Sequence, residues 1–222
     1  MHDDLTIAEI DKDEAVAEAM HGLEQSTRGG LFKRVGLIAG GGLAASLIPS
    51  ALASAREGGS KSNDVKILNY ALTLEYLEAA FYAEALAKGK LSGPALNFAQ
   101  VVAGHEATHV AALKKVLGAK AVKSPSFDFK GTTGSEKTFL ATSKVLEDTG
   151  VAAYQGQAPL IHQNAVLASA GAILAVEARH AAWVRNLLGD GKTQKPAPES
   201  FSTPMSMSAV LSAVKKTGFI KS

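Results

Sequence analysis

The chain has 222 residues, 46% of them apolar and 20% charged, with a formal net charge of +2, seven prolines and no cysteine. That length supports one core of ordinary domain size. Without cysteine, a disulfide framework, a thiolate zinc site, an iron–sulfur cluster and cysteine nucleophile chemistry are excluded, and the composition is neither collagen-like nor that of a wholly disordered chain.

The charge is unevenly distributed. Residues 1–27 hold eight acids against Lys12, residues 28–55 hold three bases and no acid, and the rest has 19 bases against 13 acids. This basic surplus is spread out, without an arginine or aromatic cluster, and argues against a nucleic-acid partner. Residues 1–27 read as an acidic N-terminal extension, to which no function attaches.

Residues 28–55 read as an export signal. Arg28, Lys33 and Arg34 precede an acid-free apolar run from Val35 to Ile48, followed by Pro49 and the small-residue string Ser50-Ala51-Leu52-Ala53-Ser54-Ala55. A charged region, a short apolar region and an A-x-A-like site are the parts of a secretory signal, with cleavage expected after Ala53 or Ala55. The string from Thr27 to Lys33 resembles a twin-arginine motif in which Gly29 stands for the second arginine. The expected location is periplasmic or otherwise extracytoplasmic. The alternative is an uncleaved membrane anchor, since Val35 to Ala55 is about long enough to span a bilayer.

A Gly/Ser/Lys linker over 56–63 leads to a bundle domain over 64–188, its first helix capped by Asn63 or Asp64. Val65 to about Lys88 lacks Gly and Pro and carries Leu68, Leu72, Glu75, Ala79, Tyr82 and Leu86 at helical steps. Ser92-Gly93-Pro94 opens a second helix that runs to Leu117. Residues 118–134, with Pro125, Gly131 and Gly134, read as a loop. Fully extended it could reach roughly 55 Å, against roughly 37 Å for a 25-residue helix, so it can cross the bundle. Ser135 to about Gln157 and Pro159 to Leu188 are the third and fourth helices. Asp148-Thr149-Gly150 interrupts the third and predicts a kink, a π-bulge or a frayed turn there. In the tail over 189–222, Met207 to Val214 predicts a short amphipathic helix packed on the outside. Two antiparallel hairpins joined by one long crossover form an all-α, ferritin-like four-helix bundle.

An internal repeat carries the chemistry. Glu75 and Tyr82 are seven residues apart, as are Glu147 and Tyr154; Glu106-Ala-Thr-His109 in the second helix matches Glu177-Ala-Arg-His180 in the fourth. The offset is 72 for Glu75 to Glu147 and Tyr82 to Tyr154, and 71 for Glu106 to Glu177 and His109 to His180. Residues at i and i+3 share a helix face, so each Glu-x-x-His presents a carboxylate and an imidazole together. Burying such groups unpaired costs several kcal/mol for each ion, and two divalent cations balance four carboxylates. One Glu from each of two helices plus a Glu-x-x-His from each of the others is the ligand set of di-iron and di-manganese carboxylate proteins.

The strings LNYALTLEYLEAAFY (68–82), VLEDTGVAAY (145–154) and ILAVEARHAAWVR (173–185) resemble the ferritin-like proteins that include plant desiccation-related proteins and many exported bacterial proteins, and more distantly rubrerythrin and the ferritins. The resemblance implies that Glu75 and Glu147 are terminal ligands and that Glu106 and Glu177 bridge two metals. It gives His109 and His180 one metal each, and makes Tyr82 and Tyr154 donors to carboxylates. Glu78, one turn from Glu75, aligns with Gly150 in the repeat and reads as a surface residue or one standing behind the ligands. His105 and His162 match no repeat position and read as surface or hydrogen-bonded residues, while Phe81, Phe98 and Trp183 read as core.

The expected function is redox chemistry with dioxygen or peroxide at two iron or two manganese ions, ferroxidase-like or peroxide-removing, with zinc able to substitute. The competing reading is a non-enzymatic desiccation- or stress-protective protein whose metals staple the helices, because both roles use the same ligands. A storage cage fits less well, since no acidic pore-like cluster is present. Partners are thus metal ions and dioxygen or peroxide, with a membrane involved only through an uncleaved signal; the oligomeric state stays open.

Overall fold

The computed structural model describes residues 60–189 and 195–221. The acidic extension, the export segment with its cleavage positions, and residues 56–59 of the 56–63 linker lie outside the described residues.

Five α-helices are present among them: α1 (Lys61–Lys88), α2 (Gly93–Leu117), α3 (Glu136–Gln157), α4 (Asn164–Leu188) and α5 (Met207–Thr217). α1 pairs with α2 and α3 with α4 as hairpins, and the hairpins meet through α1 against α3 and α2 against α4. The expected all-α bundle is the observed one.

Local chemistry sets the helix ends. The hydroxyls of Ser60, Ser135 and Ser206 accept the backbone N–H of Asn63, Thr138 and Ala209, each at 3.2 Å. α1 thus starts earlier than Asn63 or Asp64 would cap it. Asp64 is buried instead, and its carboxylate accepts the N–H groups of His162 and Gln163 at 2.7 and 2.9 Å, at the start of α4. α4 correspondingly begins at Asn164 rather than Pro159, because residues 158–160 form one 3₁₀ turn before the chain reaches Asp64.

α3 runs as unbroken α-helix through Asp148-Thr149-Gly150, with no π-bulge or fraying at that point. Thr149 returns its hydroxyl to the Val145 carbonyl at 2.7 Å, and Asp148 pairs with Arg185 of α4, so the polar side chains do not compete with the helix.

The crossover runs along α1. Near its start, Asn69 accepts the Val122 N–H at 2.8 Å; near its end, the Thr133 hydroxyl donates to Glu84 at 2.5 Å and Lys88 donates to that hydroxyl at 2.6 Å. Asn69 and Lys88 stand roughly 28 Å apart along a helix axis, so the connection covers most of the bundle. The C-terminal segment clamps it, with Asp128 N–H donating to the Phe219 carbonyl at 2.8 Å and Lys221 N–H to Ser126 at 2.9 Å. Val210 and Val214 of α5 are buried in the same core, so α5 is part of the packing.

That core divides in two. One cluster gathers Phe81, Tyr82, Phe98, Val102, Phe139 and Val184; the other gathers Leu68, Leu72, Leu113, Tyr154, Val166 and Ile173.

Candidate metal centre

Every residue of the sequence-derived set is buried: Glu106, Glu147 and Glu177 are 0% exposed, Glu75 1%, His180 2% and His109 8%. Each arrives on the inward face of its own helix near mid-length, where the two hairpins present equivalent positions. Their donor atoms form two overlapping groups, Glu75–Glu106–His109–Glu177 and Glu106–Glu147–Glu177–His180, each with one atom per residue and all atoms within 4.8 Å of one another. Glu106 and Glu177 belong to both.

Around His109 Nδ1 lie Glu75 Oε2 at 3.1 Å, Glu177 Oε1 at 3.3 Å and Glu106 Oε2 at 3.4 Å. Around His180 Nδ1 lie Glu106 Oε1 and Glu147 Oε2, both at 3.2 Å. One Nδ1–H can serve one acceptor well; it goes to Glu75 from His109 and to Glu147 from His180. Both oxygens of Glu106 and both of Glu177 are left buried without a hydrogen bond. Four such orphaned oxygens are costly. Donors bound about 2.1 Å from one cation stand roughly 3 Å apart, so both the spacing and the unmet oxygens fit metal ions.

The electrostatics of these side chains agree. Burial pushes the carboxyls of Glu75, Glu147 and Glu177 up, Glu147 to about 8, with neighbouring carboxylates adding to the rise. Burial also raises Glu106, but its imidazole neighbours His109 and His180 outweigh that and bring it down to about 2. For the histidines, burial opposes the charge, yet the surrounding carboxylates win and lift His109 to about 12 and His180 to about 10. Protons on the imidazoles stand where cations would otherwise balance the charge.

The tyrosines cross between hairpins. Tyr82 of α1 donates to Glu147 Oε1 of α3, and Tyr154 of α3 donates to Glu75 Oε1 of α1 at 2.5 Å. Each outer glutamate is therefore held by one histidine of its own hairpin and one tyrosine of the other.

Two further residues stand against this set, each within its sequence reading. Of its two expected places Glu78 takes the one behind the glutamate–histidine set rather than the surface: it is 3% exposed, and burial together with Glu177 and Glu147 holds its carboxyl well above the usual range. Its repeat partner Gly150 leaves space for Glu177. A Cβ on Gly150 would lie 3.0 Å from Glu177 Oε2 and 3.5 Å from Glu78 Oε1. His105 is exposed, but its Nδ1 lies 2.8 Å from His180 Nε2 with the rings stacked, so it can fix the orientation of that imidazole. Its repeat counterpart is Val176, so the other half has no equivalent. His162 is exposed, as expected, and offers Asp64 only its backbone.

Residues 63–190 match a protein-family description, the ferritin-like domain. A comparison with curated proteins finds no match.

Proposed function

The chain belongs to the ferritin-like domain family, and on that premise we propose that it is an exported dinuclear carboxylate protein that reacts with dioxygen or peroxide. The sharing of Glu106 and Glu177 between two donor groups, with all four of their oxygens unmet, carries this reading. Two positions sharing two carboxylates suit a pair of cations. Glu75 and His109 would complete one position, and Glu147 and His180 the other.

When bound, two iron or two manganese ions would supply the electrons that such chemistry needs; zinc suits the same donors without redox activity. The chain's own part is to hold and shield. Tyr154 and Tyr82 fix the outer carboxylates from the opposite hairpin, and His105 orients His180. The apolar clusters on either side keep bulk water from the carboxylates, which strengthens every charge interaction among them. Export rests on the charged, apolar and small-residue parts of residues 28–55.

The test is elemental analysis of protein recovered from its native location, followed by exposure of the metal-loaded, oxygen-free protein to dioxygen and to peroxide. About two equivalents of iron or manganese per chain and a spectral change are expected. Metal without a spectral change would make the site a staple of the helices, and no metal, together with unchanged melting of Glu106→Ala, would sink the proposal.

A further inference from the structure

The two ends of the bundle are built on equivalent repeat positions and filled differently. Around Tyr82, one end is packed with aromatic rings, with centroids 5.5 Å apart for Phe81–Phe139, 6.3 Å for Phe98–Phe139 and 5.3 Å for Phe98–Trp183. The 72-residue offset takes Phe81 to Ala153 and Phe139 back to Ile67; the 71-residue offset takes Phe98 to Ser169 and Trp183 back to Ala112. All four counterparts line one cavity, of about 150 Å³, at the Tyr154 end. The void stands where four rings stand in the other half, and it exists because those rings are replaced by Ala, Ile, Ser and Ala. A cavity of that size lowers stability relative to a filled end, and the filled version is present in the same molecule.

Its place and its lining indicate what it holds. Tyr154 forms part of the wall while its hydroxyl donates to Glu75, and Leu74 and Ile173 lie one residue and one helical turn from Glu75 and Glu177. Among the described residues no charged side chain lines it; its polar groups are Ser169, Gln157 and the hydroxyls of Tyr154 and Tyr70, the last buried without a partner. The Ser169 hydroxyl is already given to the Ala165 carbonyl at 3.0 Å. Ala112, Val116, Ala165 and Ser169 are exposed, so the cavity opens between α2 and α4.

We propose that this cavity binds an uncharged, apolar organic molecule of about the size of benzene, beside Tyr154 and the glutamate–histidine cluster. A largely apolar cavity of about 150 Å³ has room for a molecule the size of benzene. Beyond the Tyr70 hydroxyl and Gln157, the walls offer a polar molecule little in exchange for its hydration. Binding itself needs no metal; the molecule's role as a substrate rests on the dinuclear reading above.

The experiment uses the full chain, metal-free and metal-loaded, with benzene as the probe. Saturable binding by ligand-observed NMR is expected in both forms, with melting raised by roughly 2–5 °C at saturating benzene. Ser169→Phe and Ala112→Trp, which place the rings of the other end at the exposed mouth, should each abolish binding and leave metal content unchanged. If one of them does not fold, the other carries the test. No saturable binding by the parent chain, or binding that survives filling of the mouth, overturns the proposal. Failure of the dinuclear reading shows separately, as absent metal with benzene binding intact.

Discussion

The carboxylate of Asp64, in the first turn of α1, accepts the backbone N–H of Gln163 at 2.9 Å and its side-chain amide at 3.0 Å. Together with the bond from His162, this joins the start of the first helix to the start of the fourth, across 99 residues of sequence. Burial alone would raise the Asp64 carboxyl, but the donors of His162 and Gln163 outweigh it and hold the group below the usual carboxylate range.

The sign of the resulting pH dependence follows. A carboxyl lowered by folding contributes stability above its unfolded value near 3.9, and that stability is lost as pH falls through the folded value. Asp64→Ala should therefore cost about 2 kcal/mol at neutral pH, with the difference from the parent chain shrinking below about pH 4. Urea unfolding of both chains from pH 7 to 3 checks this; a constant gap across that range would contradict it.

Gly156 of α3 faces the C-terminal segment at a separation that no side chain tolerates. A Cβ there would lie 1.8 Å from the backbone oxygen of Met205, whose N–H donates to Ala152 at 3.0 Å. Gly156→Ala should lift this segment off α3 and uncover Val210 and Val214, with a loss of about 2–4 kcal/mol. Hydrogen exchange should rise over residues 205–221 and stay low through α1 and α2.

Gly150 has the same kind of role toward the carboxylates. Because its absent Cβ leaves room for Glu177 Oε2, Gly150→Ala should displace Glu177 and weaken metal binding about 10–100-fold. Competition with a chromogenic chelator measures this, and circular dichroism should show helix content retained.

Metal uptake should release protons. In the metal-free site His109 is lifted to about 12 and His180 to about 10, so both imidazoles are protonated at pH 7, whereas ligation needs them neutral. At least two protons should leave per chain loaded, and affinity should rise with pH across the neutral range. Titration of metal into weakly buffered protein with a pH indicator reads the release directly; none would contradict the assignment of these histidines.

The sequence by itself determined the helices, the two-hairpin connectivity and the six inward donors. Those features are short-range or repeated: Glu-x-x-His is a one-turn spacing, Glu-x6-Tyr a two-turn spacing, and glycines end the runs. Tertiary structure alone decided which groups meet across helices. That Tyr154 serves Glu75 and Tyr82 serves Glu147, rather than each its own helix, depends on the register of one hairpin against the other. So does the contact of exposed His105 with buried His180, and the use of Asp64 to bind the start of α4 rather than cap α1. Packing also decided that Asp148-Thr149-Gly150 is continuous helix, since Arg185 of the neighbouring helix takes up Asp148. The repeat contained the pairs Glu78 with Gly150 and Phe81 with Ala153 from the outset. Only with the helices assembled does the missing bulk of the small partner become room, for the Glu177 carboxylate in one case and for a cavity in the other.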